Sequence, residues 1–409
     1  MREARTRVVV TGFGLVTPLG SDPDRVFDAV LAGVSGIRTI PSLATVEGLG
    51  VRIGGAVDGF EPQRIPRKFR RSMSRMSQYA ASAAADAIAM AGIDAATLQS
   101  GRTAIAAGST TGSPDAMEAF FREYIGTGSI RGVSGTAFLR VMSHTVPAHL
   151  ALVFGVTGPV HTPACACAIS NQALGIGLDL LRLGRADVVI CGGADELSVL
   201  GAATFDLVGA AARGWADDPT ARPAPFDRSR DGVVVAEGAS MLVLETLDHA
   251  RARGATVLGE VLGYGESCDA THMSSPEPEG MCQAMRRALD DARLSPADIG
   301  YVNAHATGTV VGDAAEASAT ASVFGGETPV SSLKGHFGHT LAACGGIEAT
   351  LSLIAMARGV LPGTRNLRDP DVSGLFLVRD PLVRRVDRVV SNNFAFGGIN
   401  ASVVLGRAE

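Results

Sequence analysis

The chain has 409 residues, a formal net charge of −5, 46% hydrophobic and 19% charged residues, and 50 glycines. That length allows two or three compact units, and the apolar, glycine-rich balance describes a tightly packed interior with room for a deep pocket and a large subunit interface. The acidic balance excludes a global attraction to nucleic acid or to anionic membranes, so an anionic partner has to meet a local basic patch.

The first residues, MREARTRVVVTGFG, run straight into a strand-like stretch at Val8–Val10 without a signal-peptide core or cleavage site. No run of 18 apolar residues is free of charged, glycine or polar breaks, which speaks against a membrane span. Residues 64–75 then gather five arginines and one lysine, more than an acidic protein needs for solubility there. From Ser74 to Gly92 the chain is rich in Ala and Met and reads as a buried helix. A β-branched run at Thr103–Ala107 follows.

The segment GPVHTPACACAISNQALGIG (158–177) leaves an irregular Gly/Pro stretch and opens a helix near Cys167, expected over Ala168–Gly184 with Gly184 as its stop. A cysteine at a helix start favours a thiolate, because unpaired N–H groups and the helix dipole stabilise negative charge there. A buried structural cysteine fits this segment equally well. Cys165, Cys167 and His161 also hint at a metal site, but no second Cys/His pair follows to complete four zinc ligands. Neither a metal nor another cofactor is expected. The six cysteines form no paired framework, and Cys191 and Cys344 lie in apolar or glycine-rich stretches; a reducing, cytoplasmic location is the natural inference.

Further strands are expected at Val188–Cys191, at Val233–Val235 and Met241–Leu244 as a hairpin-like pair after the polar loop Asp217–Arg230, and at Val257–Val261, Tyr301–Asn303, Pro329–Ser331, Val389–Ser391 and Ser402–Leu405. Alternation of strands and helices argues α/β layers with central strands covered on both faces. A boundary near residue 255 divides the chain into 1–254 and 255–409, each with several strand–helix alternations. Two segments, YVNAHATGTVVGD (301–313) and SLKGHFGHTLAACGG (332–346), each read as a strand end delivering a histidine into a glycine turn. The last, SNNFAFGGINASVVLG (391–406), supplies a glycine turn whose N–H groups suit a developing oxyanion.

Together these segments resemble the β-ketoacyl-acyl-carrier-protein synthases, the elongating condensing enzymes of fatty acid and polyketide synthesis, and the likeness covers nearly the whole chain. The resemblance implies the thiolase fold: two similar α/β halves in a layered αβαβα arrangement. It implies Cys167 as the nucleophile that carries the acyl chain, and His305 and His339 as the pair that cradles an enolate. It places Lys334 and Glu316 behind the histidines, and the Phe396 amide with that of Cys167 in an oxyanion hole. Thr307 and Thr309 fall where the pantetheine arm binds, Phe394 among the substrate-binding residues, and Thr111 where pocket depth varies. Arg67, Lys68 and Arg71 match the basic surface met by the acidic acyl carrier protein, and a dimer with itself or with a related subunit is implied. Two histidines with one cysteine separate this pattern from initiating synthases and thiolases. A non-catalytic chain-length-factor-like subunit is the rival reading, and the nucleophile argues against it.

The sequence also departs from the family pattern. Ala395 stands where glycine is usual, and its methyl is expected to stiffen the gate. Ile399, Ala306, Val310 and Cys165 are further departures, and they point to a specialised chain, such as a polyene, rather than housekeeping fatty acid synthesis.

Overall fold

The computed structural model describes residues 5–62, 64–214 and 218–408; Met1–Ala4 and Asp217, the first residue of the expected polar loop, lie outside them. Eleven strands form one sheet. In the N-terminal part these are β1 (Val8–Val16), β2 (Thr103–Gly108), β3 (Val160–His161), β4 (Val188–Asp195) and β5 (Gly238–Thr246). The rest are β6 (Gly259–Cys268), β7 (Tyr301–Asn303), β8 (Pro329–Ser331), β9 (Phe376–Leu377), β10 (Arg388–Ala395) and β11 (Ile399–Arg407).

The spatial order is β9-β8-β7-β10-β11-β6-β1-β5-β4-β2-β3, and it repeats. In the first half β1 and β5, then β5 and β4, pair antiparallel, while β4 and β2, then β2 and β3, run parallel. In the second half β6 and β11, then β11 and β10, pair antiparallel, while β10 and β7, then β7 and β8, run parallel. Between β1 and β6 the two halves of the sheet meet at two residue pairs, Val9 with Glu260 and Val10 with Gly259.

Helices cover both outer faces and fill the space between. On one outer side lie α1 (Arg75–Ala91) and α2 (Thr145–Phe154); on the other lie α4 (Pro278–Ala292) and α5 (Val310–Phe324). Between the halves run α3 (Ile169–Arg182) and α6 (Cys344–Arg358). The result is five layers, and β1, β4 and β5 are buried along their whole length apart from the last residue of β5, as strands covered on both faces must be.

Local sequence explains the close packing. Ser74 caps α1 by accepting the Ser77 N–H, and Gly92 closes it with φ +65°. The TGFG motif serves that same helix: a Cβ on Gly12 or Gly14 would lie 2.1 Å from the carbonyl oxygen of Ala87 or Ala83, so β1 and α1 meet at backbone distance. Leu341–Arg358 is long and apolar enough to cross a membrane but lies 89% buried inside the fold. It is apolar because strands surround it.

The segment Val233–Val235 departs from expectation. It forms isolated bridges rather than a strand, since its backbone bonds go to several partners: Val233 with Ala210 and Ala212, Val234 with His339, and Val235 with Gly55. Val233 and Val235 pack instead with Phe205, Ala211 and Leu341, and Val234 with Ile37, Ile53 and Ala212.

Candidate active site

Three loops from opposite halves converge at the end of α3. A 3-10 turn, Ala166–Ala168, precedes the helix, and Ala166 takes φ +47°. Cys167 follows it, 6% exposed. Its carbonyl accepts the Cys344 thiol at 3.4 Å.

His305 comes directly off β7, as its segment suggests. The turn after it is held by two carboxylates on α5. Glu316 accepts the N–H groups of His305 and Ala306 at 2.8 and 2.6 Å, and Asp313 accepts those of Thr307 and Gly308 at 3.0 and 3.1 Å. Burial pushes the Glu316 carboxyl up to about 8 and that of Asp313 to about 6, while these amide bonds pull the other way.

His339 arrives differently from expectation. A one-turn helix, Lys334–Phe337, and Gly338 at φ +79° separate it from β8. Its backbone is pinned on both sides, N–H to Val234 O at 2.8 Å and carbonyl to Ala236 N at 2.9 Å.

The side chains meet in one place. His339 Nε2 lies 2.9 Å from Cys167 Sγ, and the His305 and His339 rings stand edge to face at 5.2 Å. Asn393 Nδ2, on β10, donates to His305 Nδ1 at 3.3 Å and to Glu348 at 2.8 Å. With Nδ1 accepting, the His305 proton resides on Nε2. The ligand atoms of Cys167, His305 and His339 fall within 4.8 Å of one another, close enough for a metal. A ring that presents N–H instead of a lone pair is a poor ligand, so this arrangement suits an anionic oxygen better than a cation.

Lys334 is buried completely and pairs with Glu348 of α6. Glu316 faces the backbone of the histidine turn, so the Lys334 partner is a residue sequence reasoning missed. Burial opposes the ammonium, but Glu348 and neighbouring acids outweigh it and raise the Lys334 pKa. Burial and then the Lys334 charge hold both imidazoles well below the ordinary histidine value, so they are neutral.

The thiolate expectation needs correction. Burial pushes the Cys167 thiol up to about 12 against the pull of Lys334 and of the Cys167 and Phe396 amides. The N–H groups of Cys167 and Phe396 therefore both face the sulfur. At rest the residue is a thiol.

Other predicted residues divide into two groups. Thr307, Thr309, Phe394 and Phe396 line one pocket with Cys167, His305 and His339. The threonine hydroxyls lie 3.3 Å apart, Phe394 packs against His305, and the Phe396 ring rests 5.3 Å from Phe205. Thr111 is not brought there: it is exposed, and its hydroxyl donates to Gly112 O. Arg67, Lys68 and Arg71 are exposed on and just after a one-turn helix, Arg67–Arg70. Among the described residues none of the three has a carboxylate partner, whereas Arg64 and Arg75 pair with Asp86 and Glu237.

Ala395 is the last residue of β10, paired in extended conformation with Ile399. Positive φ falls on Gly397 and Gly398, at +90° and +70°. The methyl of Ala395 therefore strains no hinge.

Comparison with known proteins matches this arrangement. Residues 5–250 match the family described as "Beta-ketoacyl synthase, N-terminal domain" and residues 258–368 its "C-terminal domain". A solved β-ketoacyl synthase from Burkholderia phymatum STM815 superposes with a TM-score of 0.96 at 40% identity, over 99% of this chain and 100% of that one. A putative polyketide beta-ketoacyl synthase 1 of Streptomyces cyaneus is 37% identical over 98% of this chain and 97% of its own. The 3-oxoacyl-[acyl-carrier-protein] synthase 1 of Escherichia coli K12 is 34% identical over 98% and 99%. The chain belongs to the β-ketoacyl synthase family and has its thiolase-like fold.

Proposed function

We propose that this protein is a β-ketoacyl-acyl-carrier-protein synthase, an acyltransferase that condenses malonyl-carrier with an acyl chain held on Cys167 in a type II fatty acid or polyketide pathway. The single observation that carries the reading is the 2.9 Å approach of His339 to the Cys167 sulfur, with neutral His305 beside it.

Cys167 attacks the carbonyl of an acyl-carrier thioester. The amides of Cys167 and Phe396 hold the tetrahedral oxyanion, and loss of one such donor costs about 10²–10³ in rate. The pantetheine thiol departs carrying the proton that Cys167 gives up, which leaves an acyl-enzyme. Malonyl-carrier then enters along Thr307 and Thr309. Its carbon–carboxylate bond breaks, carbon dioxide leaves, and the electron pair becomes an enolate whose oxygen receives N–H from His305 and His339. The enolate carbon attacks the acyl carbonyl, the carbon–sulfur bond to Cys167 breaks, and the departing thiolate takes a proton from solvent. Because both imidazoles are neutral, they stabilise charge without acting as acids.

Lys334 and Glu348 hold the histidine loops from behind, and Arg67, Lys68 and Arg71 receive the acidic carrier. A subunit without catalysis has no use for a thiol and two neutral imidazoles in one pocket. We read 1–254 and 255–409 as the two halves, supported by the repeated strand order, and infer a dimer from the exposed edge strand β3. A cytoplasmic site agrees with six free cysteines.

Carbon dioxide release from malonyl-carrier tests the histidine roles. His305→Ala and His339→Ala should each abolish it while leaving part of the Cys167 acylation. Release at the native rate in both variants overturns the assignment.

A further inference from the structure

The turn that carries Phe396 is held by a loop across the pocket mouth, and that loop has almost no packing of its own. Residues 271–275 are all exposed, and Met273 is 74% exposed. Nevertheless the Met273 carbonyl accepts the Gly397 N–H at 2.7 Å, one residue after the Phe396 amide that faces the sulfur. On the other flank Gly398 O accepts Asp269 N–H at 2.9 Å and Asn400 Nδ2 at 3.2 Å. Gly397 N–H itself depends on where Met273 lies.

A polar contact supplies the order that packing does not. His272 Nδ1 accepts the N–H groups of both Ser274 and Ser275 at 3.1 Å, curling the loop around Met273. A nitrogen that accepts two donors carries no proton, so the His272 hydrogen is on Nε2. An imidazole used this way is a local side-chain cap, comparable to the turns that Asn and Asp side chains make with the backbone two residues on.

We propose that His272 is a positioning residue: it fixes Met273, which holds the Gly397 amide and so aims the Phe396 N–H at the reacting carbonyl. The inference rests on the reading of that amide as an oxyanion donor. Its experiment therefore has one readout that needs no catalysis. Hydrogen–deuterium exchange of the peptide spanning Gly397 should accelerate in His272→Ala and return to the native rate in His272→Asn, whose Oδ1 replaces the lost acceptor. Single-turnover acylation of Cys167 should slow by roughly two- to tenfold in the alanine variant, the size of one ordinary hydrogen bond, with KM for acyl-carrier little changed. Asparagine should restore it.

Unchanged exchange in His272→Ala overturns the proposal. So does an asparagine variant that behaves like alanine, or a defect confined to KM, since either means that the imidazole touches substrate directly. If the unsubstituted protein is never acylated, the proposed chemistry fails, and the exchange comparison alone decides this inference.

Discussion

His339 Nε2 lies 2.9 Å from Cys167 Sγ although 172 residues separate them in the chain. The contact exists because α3 and α6 lie side by side between the two halves of the sheet, each entered by a 3-10 turn. Cys167 comes from one half and both histidines from the other. Neither half holds the site alone.

The neutrality of the histidines has a pH signature. A base whose pKa is lowered stays unprotonated as pH falls through the ordinary histidine range, so malonyl decarboxylation should show no inflection near 6.5. Carbon dioxide release between pH 5.5 and 8, measured at saturating malonyl-carrier, checks this. A fall following a titration near 6.5 would place a proton on one ring and contradict the donor assignment.

Lys334 and Glu348 form a fully buried ion pair. Removing one partner strands the other charge, so Lys334→Met or Glu348→Gln should each lower unfolding free energy by about 3–5 kcal/mol. The double variant should be less destabilised than the sum of the two. Urea unfolding of all four proteins reads the coupling, and strict additivity would mean that the pair does not act as a unit.

The turn after Phe396 separates position from composition. Gly398 stands at φ +70°, where an added Cβ would lie 2.9 Å from the Asp269 Cβ. Gly398→Ala should therefore cost about 1–2 kcal/mol and slow acylation. Ala395→Gly, in extended strand, should cost about 0.5–1 kcal/mol and leave the product profile unchanged. Product analysis of both variants decides: altered chain lengths in Ala395→Gly would restore the stiffened-gate idea.

Arg67, Lys68 and Arg71 lack carboxylate partners among the described residues, so their charge is free to meet another molecule. Reversing all three to glutamate should raise KM for acyl-carrier with little effect on kcat, and the defect should shrink as salt screens the surface. A kcat defect that is insensitive to salt would remove this patch from carrier recognition.

Much of this was legible in residues, and the failures have physical reasons. Helix α1 announced both of its ends, because Ser74 and Gly92 are the residues that capping chemistry needs there. The strand runs emerged from their β-branched density. Val233–Val235 had the same composition but only bridges, since burial, not strand pairing, made it apolar. The motifs singled out Cys167 and the two histidines, which the fold brings together. Glu348 was not: one carboxylate in an apolar helix gives no sign that a lysine 14 residues earlier will pair with it. Asn393 was likewise hidden inside a strand, and the resting state of Cys167 depends on desolvation, which a helix-start argument does not measure.

The central claim is that Cys167 accepts the acyl chain. Mass spectrometry of the Cys167 peptide after incubation with acyl-loaded carrier protein tests it most directly. The account predicts an added acyl mass on that peptide, discharged by malonyl-carrier and absent in Cys167→Ala. An unmodified peptide with every acyl donor tried, or an adduct that persists in Cys167→Ala, would contradict it.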